Sequence, residues 1–145
     1  MPEEAIKKLT SAVKLYPDFG EAHFLLGNIY FKLSRLDLAI DEYLTVLKID
    51  PANVDTFYNL GEIYLKIGKF QDTVDICLKA LKLDSSDGKI HNSLGRAYEE
   101  LGRGKEALEH YTKAVQYEPA VALFHDNRGW LLFSLGNYKE AMEEF

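Results

Sequence analysis

Residues 102–107 read GRGKEA, so Gly102, Gly104 and Ala107 stand at the spacing of a dinucleotide-binding fingerprint. Such a turn brings backbone N–H groups against a pyrophosphate at the start of the helix that follows. His23, His91 and His125 share one register along the chain, and histidine is the residue type that serves metal ligation and pH sensing. Cys77 is the only cysteine and the one thiol that could act as a nucleophile.

The elements that must position these groups decide what they can do. A pyrophosphate turn follows a β-strand, whereas the stretch before Gly102, HNSLGRAYEEL, has helical periodicity. No strand is predicted anywhere, so GRGKEA reads as a turn between helices. The chain also lacks G-x-x-x-x-G-K-[ST], H-E-x-x-H and any paired-cysteine ligand set.

Self-similarity governs the rest. LLGNIYFKLSRLDLAIDEYLTVLKIDP, NLGEIYLKIGKFQDTVDICLKALKLDS and SLGRAYEELGRGKEALEHYTKAVQYEP begin at Leu25, Asn59 and Ser93, a constant step of 34 residues. Gly27, Gly61, Gly95 and Gly129 form one column; Tyr30, Tyr64 and Tyr98 form another. A small-residue column runs Ala5, Ala39, Thr73, Ala107, Ala141, and a bulky one Leu9, Tyr43, Cys77, Tyr111, Phe145. Glycine inside a helix costs about 1 kcal/mol relative to alanine, so the repeated glycine implies close helix packing. It is expected to face the small column at Ala39.

Helix ends follow from local chemistry. Gly68, Gly102 and Gly136 supply the flexible residue past a first helix. Asn53 and Asp87 stand as N-caps, and Pro17, Pro51 and Pro119, with Ser85 in the third place, close the second helices.

This pattern resembles the tetratricopeptide repeat (TPR), a helix-turn-helix unit of that length, and the resemblance covers essentially the whole chain. It implies an all-α fold, a right-handed α-solenoid of tandem repeats forming a single domain over residues 1–145. Residues 1–19 are expected to be a lone second helix, followed by units at 20–53, 54–87 and 88–121 and a truncated unit at 122–145. The half-unit at the start and the short last unit point to a fragment of a longer chain. On this ruler the histidine column reads as an amphipathic ring packed between helices, one layer apart and too far to share an ion. Cys77 falls in the packing column and reads as a buried small hydrophobe.

The resemblance also implies a non-enzymatic interaction scaffold whose first helices line a concave groove for a protein or peptide. The stripe left over from packing supplies the candidate partner-binding residues: Phe24, Asn28 and Phe31; Tyr58, Asn59 and Glu62; Lys89, Asn92 and Arg96; Asp126 and Trp130. Leu65, Glu99, Glu100, Asn127 and Phe133 belong to the same stripe. Some members of the family clamp a C-terminal carboxylate with Lys, Asn, Asn, Lys and Arg. Asn28, Asn59 and Lys89 match three of those places, but Phe24 and Ser93 stand where two cations belong, which removes most of the charge-assisted bonding. No catalytic residue, cofactor or metal is expected.

Bulk properties bound the partners. A net charge of −6 with no basic cluster is the wrong footprint for nucleic acid. No apolar stretch reaches membrane-spanning length, and MPEEAIKKL has no apolar leader core, so membrane insertion is not expected and a cytoplasmic location is. Two alternatives stand beside the scaffold: a non-catalytic TPR segment of a larger enzyme or assembly factor, or a self-assembling structural protein. The apolar run Trp130, Leu131, Leu132, Phe133 and Leu135 predicts that this end is covered, with self-association through uncapped terminal repeats as one route.

Overall fold

A computed structural model describes all residues, 1–145, as nine helices without a strand. They are α1 (Pro2–Leu15), α2 (Gly20–Lys32), α3 (Leu36–Ile49), α4 (Val54–Lys66), α5 (Phe70–Leu81), α6 (Gly88–Glu100), α7 (Gly104–Tyr117), α8 (Ala122–Ser134) and α9 (Tyr138–Met142). Each helix packs on its neighbours in sequence, and α4, α6 and α8 also pack in succession, which makes the row of first helices continuous. The result is an all-α solenoid of helix-turn-helix units.

Turns fall where backbone chemistry requires them. Gly68, Gly102 and Gly136 adopt φ of 76°, 72° and 82°, a region that costs residues with a Cβ roughly 1 kcal/mol or more. Ser34 takes the same role in the first unit at φ 58°. Asn53 and Asp87 accept the backbone N–H of Thr56 and Ile90, each at 3.0 Å. Each cap satisfies a helix donor and is worth ~1 kcal/mol.

The core runs along the seam between first and second helices, through Ala39, Leu60, Ile63, Cys77, Leu94, Ala97, Ala107 and Tyr111, all at most 1% exposed. Here the expected role of the glycine column is corrected. A Cβ on Gly27 would meet the Tyr43 ring at 2.6 Å, one on Gly95 the Tyr111 ring at 2.5 Å, and one on Gly129 the Phe145 ring at 2.9 Å. Gly61 faces Cys77 Sγ at 3.0 Å. Each glycine therefore makes room first for the bulky column of its own unit; at Gly61 the small column, through Thr73, also stands at 4.0 Å. Alanine at the small column can be overlapped by either partner helix, whereas a ring lying across the seam needs a bare backbone opposite it.

Candidate functional site

The exposed stripe of first helices α2, α4, α6 and α8 is held in register by polar contacts that cross from unit to unit. Asn59 Nδ2 donates to Asn28 Oδ1 at 3.2 Å, and Asn127 Nδ2 donates to Asn92 Oδ1 at 2.8 Å. Between these pairs, Glu62 accepts from Ser93 Oγ at 2.7 Å and from Arg96 Nη1 at 3.0 Å. A primary amide carries two N–H donors and a carbonyl with two lone pairs. The paired asparagines thus keep spare donors and acceptors along the row, the complement of an extended peptide backbone.

Not every residue of the predicted stripe is exposed. Asn92 is buried, 5% exposed, because its carbonyl is turned across the seam to hold Asn127; the expectation of a surface contact there is corrected. Leu65 is likewise buried against the core at the first-to-second helix corner. Phe24, Phe31 and Tyr58 are half-buried: Phe24 tilts onto the Tyr43 ring, and Lys66 Nζ sits over Phe31 at 5.7 Å. Burial, with Glu62 nearby, raises the Tyr58 phenol above its usual pKa. Lys89 and Asp126 are exposed. Trp130 is 63% exposed and meets Phe133 and Phe145 in edge-to-face geometry.

A cavity of about 240 Å³ opens in this face, lined by Leu65, Phe70, Arg96, Glu99, Glu100, Tyr111 and Asn127. The Tyr111 hydroxyl donates to Glu99 at 2.7 Å, and burial followed by that carboxylate pushes the phenol's pKa up. One cation and two carboxylates therefore share a polar recess. Two positions of the carboxylate clamp are committed to other bonds. Asn28 Oδ1 accepts from the Tyr43 hydroxyl at 2.6 Å, while burial pushes that phenol up to about 12. Ser93, where the clamp has Arg, donates to Glu62, so that position holds a carboxylate in place of a cation.

The histidine column does structural work that the sequence reading did not find. Nε2 of His23, His91 and His125 faces the carbonyl of Pro17, Ser85 and Pro119 at 3.0, 3.1 and 2.9 Å. The Nδ1 side faces Glu42, His110 and Glu144 respectively. Each ring thus latches the preceding loop to its own second helix. The unit 54–87 has Phe57 and Ile76 in the two places. That pairing was available from sequence: the partner stands nineteen residues after the ring in every unit, and it is polar only where the ring is histidine. Cys77 is fully buried, and burial pushes its thiol up to about 12, which removes the thiolate a nucleophile needs.

Fold and face together define an α-solenoid of paired helices presenting a polar, aromatic-edged row of first helices. Family models agree: a TPR repeat model matches residues 27–68, and two tetratricopeptide repeat models match 54–87 and 92–145. The chain belongs to the tetratricopeptide repeat family. Among solved structures it is similar to MamA (41-end) from Desulfovibrio magneticus RS-1, at 24% identity and TM-score 0.91 over 99% of this chain and 81% of that one. PilF of Pseudomonas aeruginosa matches at 20% identity and TM-score 0.88, over 99% of this chain and 65% of PilF. YrrB, described as a TPR protein with an unusual peptide-binding site, matches at 21% and 0.80 over 94% of this chain and 70% of that one. At these identities the likeness establishes the fold. No curated protein matches the sequence.

Proposed function

We propose that this chain is a non-catalytic protein-interaction scaffold that takes a peptide or protein segment along its first-helix groove. The observation that carries the reading is the groove itself. Its cross-unit ladder of asparagines is pre-ordered, keeps unused amide groups, and leads past the recess at Arg96 to the exposed Trp130. Aromatic and arginine side chains are the types that dominate binding energy at interfaces. The peptide-binding site described for the similar fold of YrrB supports the same reading. The expected ligand is an extended segment bound through its backbone amides and not through a terminal carboxylate.

The test is a peptide-array selection with the purified chain, repeated with an Arg96→Glu, Trp130→Ala double variant. Peptides selected by the parent should bind the variant at least about tenfold more weakly, or ~1.4 kcal/mol. They should bind equally as free acids and as C-terminal amides. Equal binding by parent and variant would move the site elsewhere, and a tenfold preference for the free acid would restore the clamp.

A second reading draws on one feature. Trp130, Phe133, Tyr138 and Phe145 form an edge-to-face chain of rings, each 52% exposed or more. Apolar surface of this kind supports self-association. Sedimentation equilibrium at ~100 μM, above the micromolar affinity scale, separates the readings: a clean monomer removes the second.

A further inference from the structure

A second surface lies on the other helices of the solenoid. Between α3 and α5 a cavity of about 350 Å³ is floored by Leu44, Leu47, Phe57 and Ile76 and edged by Lys48 and Lys79. Its only first-helix contribution is Phe57, whose neighbours Tyr58 and Asn59 belong to the groove. No carboxylate lines it.

The cavity is apolar because of two residues. In the units on either side, the places of Phe57 and Ile76 hold His23 with Glu42 and His91 with His110, bonded to each other and to the preceding loop. In the third unit the stacked rings of Tyr117, His91, His110 and Tyr98 occupy that side. The unit 54–87 has neither the latch nor the ring stack, so its two apolar side chains face an open recess.

The charge at the mouth is equally local. Lys113, the counterpart of Lys79 one unit on, is neutralised by Glu109 at 2.6 Å. Lys79 has Asp75 at the same offset, but that carboxylate accepts from Gln71 Nε2 at 3.0 Å instead. Neither Lys48 nor Lys79 forms an ion pair, in a chain whose net charge is −6. Two unpaired ammonium groups over an apolar floor are complementary to an apolar side chain flanked by carboxylates. The volume lies within the range of side-chain and small-ligand pockets.

We propose that this recess is a second docking site, taking an acidic peptide segment that inserts one leucine- or phenylalanine-sized side chain between α3 and α5. It is separate from the first-helix groove, so the scaffold can hold two segments at once. The insertion supplies affinity through burial. The lysines supply orientation and a salt-dependent on-rate.

The probe is a fluorescein-labelled nine-residue peptide with Leu-Phe at its centre and Asp or Glu elsewhere, followed by fluorescence anisotropy. Binding should fall in the range of roughly 10–100 μM. It should weaken about tenfold, the effect of ~1.4 kcal/mol, when the centre is Ala-Ala or when the acids are amides. A Phe57→His, Ile76→Glu variant imports the latch of the first unit and should abolish binding while keeping the helical spectrum. Lys48→Gln with Lys79→Gln, surface changes that do not touch the core, should weaken binding about tenfold and flatten its salt dependence. Lys7→Gln with Lys139→Gln makes the same charge change elsewhere and should leave it unaltered. Binding weaker than ~1 mM, or undiminished in both recess variants, overturns the proposal. So does a parent dimer that the Phe57→His, Ile76→Glu variant turns into a monomer while the probe fails to bind: the occupant is then a second copy of the chain.

Discussion

In the unit 54–87 the packing glycine, Gly61, faces Cys77, and Phe57 and Ile76 line one recess; in the unit 88–121 the same places hold Gly95, Tyr111, His91 and His110. The backbones share their turn glycine, the side-chain N-cap and the 13-residue length of their first helices. The interiors do not. One unit is filled by apolar groups without a polar ring and leaves a recess on its second-helix face. The other is filled by a tyrosine ring whose hydroxyl reaches Glu99 and by a stack of four rings. Because each contact closes within a unit or against the next one, a solenoid can change the filling of one repeat without disturbing the register of the others. The difference also predicts how unevenly stability is spread.

The largest effect should come from the ring. Tyr111 is 1% exposed and fills the seam between α6 and α7. Tyr111→Ala leaves a ring-sized void and an unpartnered Glu99, with an expected loss of about 3–5 kcal/mol. Cys77→Ala removes one buried sulfur at the equivalent place, and about 1 kcal/mol should suffice. Urea melts of the two variants measure both. Equal losses would mean that the two units carry the seam alike and differ only in shape.

Next in size are the glycines opposite. A methyl on Gly95 would stand 2.5 Å from Tyr111 Cδ1, inside any real contact, and the ring is 1% exposed. Gly95→Ala should cost roughly 1–3 kcal/mol through overpacking, less the ~1 kcal/mol that alanine returns to the helix. At Gly61 the one tight neighbour is the Cys77 sulfur at 3.0 Å, with Ile76 and Thr73 at ordinary contact, so Gly61→Ala should change stability by less than about 1 kcal/mol. A Gly95→Ala, Tyr111→Cys double variant rebuilds the pair of the preceding unit. It should be less destabilised than the sum of its single changes; strict additivity would show that the two positions do not meet.

These contacts also mark the limit of what the sequence disclosed. Turn positions, the αL glycines and the Asn53 and Asp87 caps were legible, because each depends on the backbone chemistry of a few neighbouring residues. The partner of the glycine column was misread. Periodicity places Gly27 on the inner face but does not say whether Ala39 or Tyr43 lies opposite, a difference of one helical turn on the facing helix. The face of Asn92 was misjudged for a related reason. It lies at the border of the stripe, and the side chain turns inward once Asn127 offers a donor. Trp130 stands exposed, while the equivalent positions Asn28, Glu62 and Arg96 are half-buried by the contacts that cross between units. The recess at Lys48 and Lys79 needed the fold, since it brings together two second helices that are 34 residues apart in register.

The smallest expected effect tests the histidine pair against its apolar counterpart. His91 Nε2 donates to the Ser85 carbonyl, which leaves Nδ1 of the neutral ring as an acceptor for His110 Nδ1–H at 2.9 Å. Burial, then the His91 ring and Lys113, pull His110 down to about 4, with Glu109 opposing. His91 is lowered as well, by burial first, with the Ser85 bond, Asp87 and Glu109 pulling the other way. A histidine whose folded pKa lies below its unfolded value binds fewer protons when folded. Stability from the pair is therefore fully present above about pH 6.5 and is lost as pH falls toward about 4. Since the His110 ring is only half-buried, the loss should be on the order of 1 kcal/mol after solvent screening, well below the unscreened shift. Carboxylates elsewhere add their own acid sensitivity, so the measurement has to be a difference. A His91→Phe, His110→Ile variant carries the pair of the unit 54–87 and keeps every other titrating group. Its urea midpoint should gain on the parent's between pH 7 and pH 4.5. Parallel curves would show that the stacked pair takes up protons as readily folded as unfolded, and the polar filling of this unit would then have no acid cost at all.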